Sequence, residues 1–195
     1  MAQRLIQPLN RTRVTASYKW GGAYQREFGA PHYGQDMTGG PIVYAQGEGT
    51  VAFAGWDNVC GYVVGIVYDD CANHFDGGHR PLVGRYYHMA DVRVKKGQRV
   101  TKDTRIGTVG NTGKLTTGPH LHVEFDTDTR YPAYTPTLTG HSNLLKRGLR
   151  GARDTTVDPM RVTHCKASGP DWQAIAAGYG RDWVDPRDAQ IPEIQ

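Results

Sequence analysis

The stretch TTGPHLHVEF, residues 116–125, alternates apolar and polar side chains with a period of two. This is the period of a β-strand, whose successive side chains point to opposite faces of a sheet. The apolar residues from Leu121 to Phe125 would then face a core, while His120 and His122 would share the opposite face. Two imidazoles at i and i+2 aim at one point in space, which suits one metal ligand and one neighbour acting on the same centre.

Around this stretch, the chain contains several short runs of β-branched and aromatic residues. The runs are PIVYA, GTVAFAGW, GYVVGIVY, LVGRYYHM and QRVTKDTRIGTVG. Gly, Asn, Asp and Lys-Gly separate them, and within residues 41–125 no segment of about 10 or more residues keeps a helical period. We therefore predict a mainly β fold built on an antiparallel sheet.

The composition fits a globular domain and excludes several classes of protein. The 195 residues are 38% hydrophobic and 22% charged, which excludes a disordered polyelectrolyte. The formal net charge of +4 favours an anionic partner but is too small to indicate nucleic-acid binding. No run approaches the ~18 to 20 apolar residues of a membrane span. The extended run between Cys60 and Cys71 would hold these two cysteines too far apart for a disulfide.

Two further histidine patterns precede the His120–His122 pair. His32 and Asp36 stand four residues apart in PHYGQDMTGG, a glycine-rich stretch that predicts a loop. An imidazole and a carboxylate at this spacing can converge on one divalent ion. His88 ends the tyrosine-rich run GRYYHM. Each pattern taken singly is explained as well by an ordinary loop or half-buried histidine, so their order along the chain carries the argument.

In this order the patterns resemble the M23 (lysostaphin- and LytM-like) zinc metallopeptidases. HYGQD is followed by G-x-V-x-x-A-G, Y-x-H, a Gly-rich connector and G-P-H-L-H-V-E-F, over about residues 30–126. The resemblance implies an antiparallel sheet of the LytM and lysostaphin type, related to barrel sandwiches and crossed by a substrate groove. It also implies a set of zinc ligands with two catalytic neighbours. The implied ligands of one zinc ion are His32, Asp36 and His122, and the implied catalytic residues are His88 and His120.

The implied ligand set, two imidazoles and one carboxylate, leaves a tetrahedral zinc ion with one open position for water, as in catalytic zinc sites. Such an ion lowers the pKa of its water toward ~7 and provides a hydroxide nucleophile. Either His88 or His120 can accept the water proton, and either can stabilise the developing oxyanion, so the sequence leaves these roles open.

The resemblance implies the peptide part of bacterial peptidoglycan as the substrate. We predict that Tyr86 and Asn111 contact it. The bond that is cut, in the stem peptide or in the cross-bridge, stays open. Family members that cut glycine bridges tend to carry Tyr where this chain has Val59.

Three segments follow from these patterns. Residues 1–29 are predicted as an N-terminal arm, 30–128 as the catalytic domain and 129–195 as a C-terminal extension, with short helices or loops at SNLLKRGL and DWQAIAAGYG. The first residues lack an apolar stretch of about 7 to 15 residues, so we expect no signal peptide. Another route to the cell wall is then needed, and we expect an extracellular or virion-associated protein. The extension is the candidate for docking onto a larger assembly such as a phage tail.

Two other interpretations stay open. A catalytically silent relative would bind the wall or activate another hydrolase, although such relatives usually lack ligands that are all present here. A carrier barrel of the biotinyl or lipoyl type would explain the Gly-Val hairpins GEGTVAFAGW and KKGQRVTKDTRIGTVG, with Lys114 as the modified residue. The loop at 71–84 is either one wall of the groove or a solvated insertion.

Overall fold

The structure is a computed structural model that describes residues 2–19, 23–73, 77–137 and 152–164. Most of its elements are short strands. The strands are β1 Leu5–Ile6, β2 Arg13–Ala16, β3 Gln35–Thr38, β4 Ile42–Tyr44, β5 Gly49–Asp57, β6 Gly61–Ala72, β7 His79–Met89, β8 Asp91–Val92, β9 Arg99–Val100, β10 Arg105–Thr108, β11 Leu121–Asp126, β12 Thr156–Val157 and β13 Thr163–His164. The helical elements are α1 Ala23–Phe28 and a 3-10 helix at Pro159–Arg161. Neither of these is long and apolar enough to cross a bilayer.

The main sheet has eight strands, in the order β2-β3-β11-β7-β6-β5-β9 with β12 also paired to β11. All of its pairings are antiparallel. A second sheet has the order β4-β10-β8, and β1 pairs with β13 in parallel. The apolar runs of the sequence became these strands, so the predicted mainly β, antiparallel fold is confirmed.

The main core cluster of the described residues contains buried side chains from the eight-stranded and the three-stranded sheets. Leu121, Val123 and Phe125 of β11 are at most 1% exposed, as the period of two in this strand predicts. Burying a side chain of this size contributes about 1.5 to 3 kcal/mol. With one face of β11 fixed against the core, His122 is fixed on the other face.

The segments on either side of residues 30–128 pack onto the same unit. Leu5 and Leu9 from the N-terminal side and Val162 from the C-terminal side belong to the core cluster. The strand β2 pairs with β3, and β12 pairs with β11. The described residues beyond 128 are therefore part of the folded unit. The helices predicted at 142–149 and 171–180 lie outside the described residues, and the domain boundaries stay a prediction.

Neither of the two cysteines within the described ranges forms a disulfide. Cys60 and Cys71 are buried at opposite ends of β6, as the extended run between them predicts. Burial raises the pKa of the Cys71 thiol to about 12, so this thiol stays protonated and unreactive at neutral pH.

Candidate functional site

The five residues with predicted metal-binding or catalytic roles meet at one pocket beside the main sheet. The pocket has a volume of about 500 Å³. These residues are His32, Asp36, His88, His120 and His122. Residues separated by up to 90 positions in sequence are thus brought to one place by the order of the strands.

The register of two strands positions part of this group. Asp36 of β3 lies directly opposite His122 of β11 in the antiparallel ladder. The prediction of a loop is wrong for Asp36, because Gln35–Thr38 pairs with β2 on one side and with β11 on the other. His32 does lie in irregular backbone just before β3, as predicted.

The donor atoms of these three residues converge on one point. Asp36 Oδ1 lies 3.2 Å from His32 Nε2 and 2.8 Å from His122 Nδ1. The two imidazole nitrogens are 3.0 Å apart. Ligand atoms of the three residues all lie within 4.8 Å of one another, which is close enough to hold a single metal ion.

Each of the two imidazoles has an inner nitrogen, which faces Asp36, and an outer nitrogen, which faces away from it. The hydrogen bonds of the outer nitrogens show which nitrogen of each ring carries the lone pair. His32 Nδ1 donates to the carbonyl oxygen of Ser17 at 2.8 Å, and His122 Nε2 donates to Glu124 Oε1 at 3.2 Å. The inner nitrogens are then unprotonated in the neutral rings and face the carboxylate of Asp36. Three lone-pair donors this close repel one another unless a proton or a cation lies between them.

The pKa values of His122 and Asp36 also indicate that the cluster attracts a cation. Burial alone would lower the pKa of His122, but its hydrogen bonds to Asp36 and Glu124 outweigh that and raise the pKa to about 9. The pKa of Asp36 is held well below its ordinary value although burial opposes this, because the imidazoles of His32 and His122 favour the carboxylate. The cluster therefore favours positive charge at its centre. Its donors, two imidazoles and one carboxylate, fit the zinc ligand set.

His88 and His120 flank this cluster with a different environment. His88 Nδ1 donates to the carbonyl oxygen of Thr112 at 2.9 Å, and His120 Nδ1 donates to that of Gly118 at 2.8 Å. In the neutral form of each ring the Nε2 atom therefore carries the lone pair. The Nε2 atom of His120 lies 3.5 Å from Asp36 Oδ1. Burial, together with the nearby His122 and His120, lowers the pKa of His88 to about 4, so its ring is neutral at neutral pH.

The backbone at His88 has a positive φ of 63°, in the left-handed region. For a residue other than glycine this conformation costs about 1 to 3 kcal/mol and persists only where the surroundings impose it. Here the His88 amide donates to the Cys60 carbonyl at 2.8 Å, and the Thr112 amide donates to the His88 carbonyl at 3.3 Å. A Cβ atom at Gly113 would lie 2.4 Å from the amide nitrogen of Gly61, so two glycines allow these loops to close around the histidine.

With the geometry established, the sequence can be compared with known proteins. The model of Peptidase family M23 matches residues 30–133, which is more than half of the chain. The chain belongs to peptidase family M23. This membership removes the basis for the carrier-barrel interpretation and for a modified Lys114.

Curated relatives of this M23 chain include two proteins of Vibrio cholerae. Peptidoglycan DD-endopeptidase ShyA is 39% identical over 97 residues, which are 49% of this chain and 20% of the relative. Peptidoglycan DD-endopeptidase ShyC is 33% identical over 96 residues, 48% of this chain and 20% of the relative. The chain thus spans about a fifth of the length of these relatives.

Solved structures show the same fold. A zinc-containing peptidase from Vibrio cholerae superposes with a TM-score of 0.53 and 28% identity, covering 66% of this chain and 38% of the other. The solution structure of lysostaphin superposes with a TM-score of 0.54 and 25% identity, covering 93% of this chain and 57% of the other. The predicted lysostaphin-like fold is thereby confirmed.

The structure corrects the prediction that Tyr86 binds substrate. Tyr86 is fully buried in the core, where its hydroxyl donates to Gln46 Oε1 at 3.0 Å and lies 2.7 Å from the hydroxyl of Tyr68. Its neighbour Tyr87 lines the pocket of this M23 chain instead. Strand alternation counted back from His88 places Tyr86 on the same face as the histidine. The positive φ of His88 breaks that alternation, so Tyr87 shares the pocket with it.

The second residue with a predicted substrate contact, Asn111, is exposed and lies outside the pocket lining. Its Oδ1 accepts a hydrogen bond of 2.7 Å from Thr116, which does line the pocket. A contact between Asn111 and substrate stays a prediction. The described residues of the 71–84 loop do not line this pocket, because β6 and β7 extend into most of that segment.

Sequence reasoning missed several residues of the M23 pocket. The N-terminal segment forms one wall, with Tyr24 of α1 placing its ring 4.8 Å from that of His32. This segment contributes Thr15, Ala16, Tyr24, Glu27 and Phe28 to the lining. The aromatic residues of AYQREF, directly before the histidine motif, are the sequence feature that could have indicated this wall. Glu124 was also missed, although it shares the polar face of β11 with His122.

Proposed function

We propose that this chain is a zinc-dependent endopeptidase that hydrolyses peptide bonds in bacterial peptidoglycan. The observation that carries the proposal is the convergence of inward-facing donors from His32, Asp36 and His122, with His88 and His120 beside them in one pocket. The names of the curated relatives support peptidoglycan as the substrate. The zinc-containing peptidase of the same fold supports the choice of metal.

One zinc ion per chain would be held by His32, Asp36 and His122. When bound, the ion supplies a Lewis acid that lowers the pKa of a water molecule toward ~7 and polarises the scissile carbonyl. The protein's part is to keep both inner imidazole nitrogens unprotonated and aimed at the same point as the carboxylate. The carbonyl of Ser17 and the carboxylate of Glu124 do this by accepting the outer N–H groups.

Proton transfer falls to the two flanking histidines. Both have Nδ1 committed to a backbone carbonyl, so both present Nε2 to the pocket. The neutral ring of His88 presents an unprotonated Nε2 that can accept a hydrogen bond from the attacking water. His120, whose Nε2 lies 3.5 Å from Asp36 Oδ1, can donate to the developing oxyanion and give a proton to the leaving amine only when its ring carries a second proton, which has to come from the attacking water.

The test is digestion of purified peptidoglycan of several chemotypes by the zinc-loaded chain, with mass spectrometry of the released muropeptides. We expect new amino and carboxyl termini at one type of peptide bond, in the stem peptide or the cross-bridge. His122→Ala should abolish release. His79→Ala is the matched control, because His79 is a 61% exposed histidine paired with Asp70 outside the pocket.

Two results would contradict the proposal. Zinc-loaded protein that releases nothing from any chemotype would favour a silent module that binds the wall. Release that survives His122→Ala would show that the chemistry lies elsewhere. Delivery by a virion and docking through residues 129–195 stay predictions that need a separate test.

A further inference from the structure

Glu124 is a buried carboxylate between the metal cluster and a second charged group. It is 3% exposed. Its Oε1 accepts the outer N–H of His122 at 3.2 Å. Its Oε2 accepts from the Tyr87 hydroxyl at 2.9 Å and from Arg85 Nη1 at 3.1 Å. Both oxygens of this side chain are therefore occupied, and only one bond leads to the metal cluster.

Arg85 anchors the far side of Glu124. Its side chain is fully buried, and each guanidinium nitrogen has a partner. Nε donates to the Tyr131 carbonyl at 2.8 Å, and Nη2 donates to Asp126 Oδ2 at 2.9 Å. Asp126 in turn accepts a 2.6 Å hydrogen bond from Thr155. A guanidinium held on three sides fixes the position of the carboxylate that it binds.

Two further residues pack against the hydrogen bond between His122 and Glu124. On one side the Tyr87 ring stacks on the imidazole, with centroids 5.1 Å apart and planes 5° from parallel. On another side is the backbone of Gly34. A Cβ atom there would lie 2.5 Å from His122 Nε2 and 2.8 Å from Glu124 Cγ. These two contacts restrict rotation of the imidazole and movement of the carboxylate.

We propose that Glu124, held by Arg85 and Tyr87, is a positioning residue that fixes the tautomer and ring orientation of His122. By accepting the Nε2 proton it leaves Nδ1 unprotonated and aimed at the metal position. This proposal rests on the proposed function only in taking His122 as a metal ligand. His32 has its outer nitrogen fixed by a backbone carbonyl, so His122 is the ligand whose geometry depends on a side chain.

Zinc affinity is the first test, measured by competition with a chromophoric chelator on the full chain. Glu124→Ala should weaken zinc binding by about 10- to 100-fold. Glu124→Gln should recover part of this, because the amide oxygen can still accept the His122 proton, while the amide nitrogen then faces Arg85 Nη1 in place of the second oxygen. Tyr87→Phe keeps the stacked ring but removes one bond to Glu124, so it should have a smaller effect in the same direction.

The matched control is Asp126→Asn. Asp126 is as buried as Glu124 and binds the same guanidinium, but it makes no hydrogen bond to a metal-cluster residue. Because the amide oxygen of asparagine can still accept from Arg85 Nη2, this variant keeps the anchor of Glu124. It should lower the melting temperature while leaving zinc affinity within about threefold of wild type, whereas a purely structural role of Glu124 predicts the same outcome for both variants.

The imidazole nitrogens give a readout independent of zinc affinity and of hydrolysis. Long-range ¹H–¹⁵N spectra of the zinc-loaded protein should show His122 protonated at Nε2 alone in wild type and in Glu124→Gln. Glu124→Ala should shift or broaden that signal and leave His120 unchanged. A folded Glu124→Ala protein with wild-type zinc affinity and an unchanged His122 signal would overturn the proposal. Failure of wild type itself to bind zinc would instead contradict the proposed function.

Discussion

His122 and His88 lie on two sides of one pocket, with ring centroids 6.1 Å apart, and the fold holds them by different means. His122 lies within β11 and pairs in register with Asp36 on one side and Tyr87 on the other. Its outer nitrogen donates to a buried carboxylate. His88 has a left-handed backbone, and its outer nitrogen donates to a neutral carbonyl.

The difference in partner changes the charge of the two rings. Hydrogen bonds to carboxylates overcome burial and raise the pKa of His122 to about 9. Burial and neighbouring positive rings lower the pKa of His88 to about 4. The same residue type is thus made to attract positive charge at one place and to stay neutral a few ångströms away. The first property suits a residue that faces a cation, and the second leaves the Nε2 lone pair of His88 unprotonated at neutral pH.

The largest expected effect comes from removing a donor on the metal side. Asp36→Ala deletes the carboxylate that both inner imidazole nitrogens face, so zinc should no longer bind stoichiometrically. Because a Lewis acid contributes several kcal/mol, activity should fall by more than about 1000-fold. Metal analysis and muropeptide release check this together. An Asp36→Ala protein that retains one zinc per chain would contradict the assigned ligand set.

On the other side of the pocket, His88→Ala and His88→Gly should separate catalysis from metal binding. Both variants lose the imidazole, so activity should fall by about 100-fold or more while zinc content stays at one per chain. His88→Gly should also be more stable than His88→Ala by about 1 kcal/mol, because glycine adopts a φ of 63° without strain. Denaturant unfolding measures this difference. Equal stability of the pair would show that the backbone relaxes in the alanine variant.

The sequence predicted the two sides unequally well. The β11 face could be predicted because a period of two fixes which residues share a face, and both Leu121 and His122 lie where it places them. The residue order also indicated which histidines meet at the metal cluster. The orientation of residues around His88 could not be predicted, because one positive φ reverses the alternation and exchanges Tyr86 with Tyr87. No local pattern shows that a chain will leave the extended conformation at one residue.

The pocket wall formed by α1 was not predicted from the sequence, for a different reason. Tyr24 packs against the His32 ring, and the chain before it contributes Leu5 and Leu9 to the core and pairs β2 with β3. Such contacts depend on tertiary packing and leave no periodic signal in a short segment.

A smaller effect is expected where the metal side is most tightly packed. Gly34→Ala would place a Cβ atom 2.4 Å from the Val123 carbonyl and 2.5 Å from His122 Nε2, so the imidazole must shift. We expect a loss of about 1 to 3 kcal/mol in the free energy of unfolding and a clear weakening of zinc binding. Gly40→Ala is the control, because a Cβ atom there meets nothing within 4 Å. Similar losses for both alanines would indicate a general effect of glycine replacement.

The smallest effect is a pH dependence that only the metal side should show. The pKa of His122 in the metal-free protein is raised from 6.5 to about 9, so the ring is protonated at neutral pH and zinc must displace that proton. Apparent zinc affinity should therefore rise by up to about tenfold per pH unit between pH 6.5 and 8.5, measured by chelator competition corrected for the chelator's own titration.

The metal-free protein should lose stability over the same interval, since a raised pKa stabilises the fold below 6.5 and ceases to do so as pH approaches 9. His88, with its lowered pKa, is already neutral in the folded protein throughout this range and adds no slope to the zinc affinity. An affinity that stays flat with pH would mean that the carboxylates around His122 do not raise its pKa. The contrast between the two histidines would then rest on geometry alone.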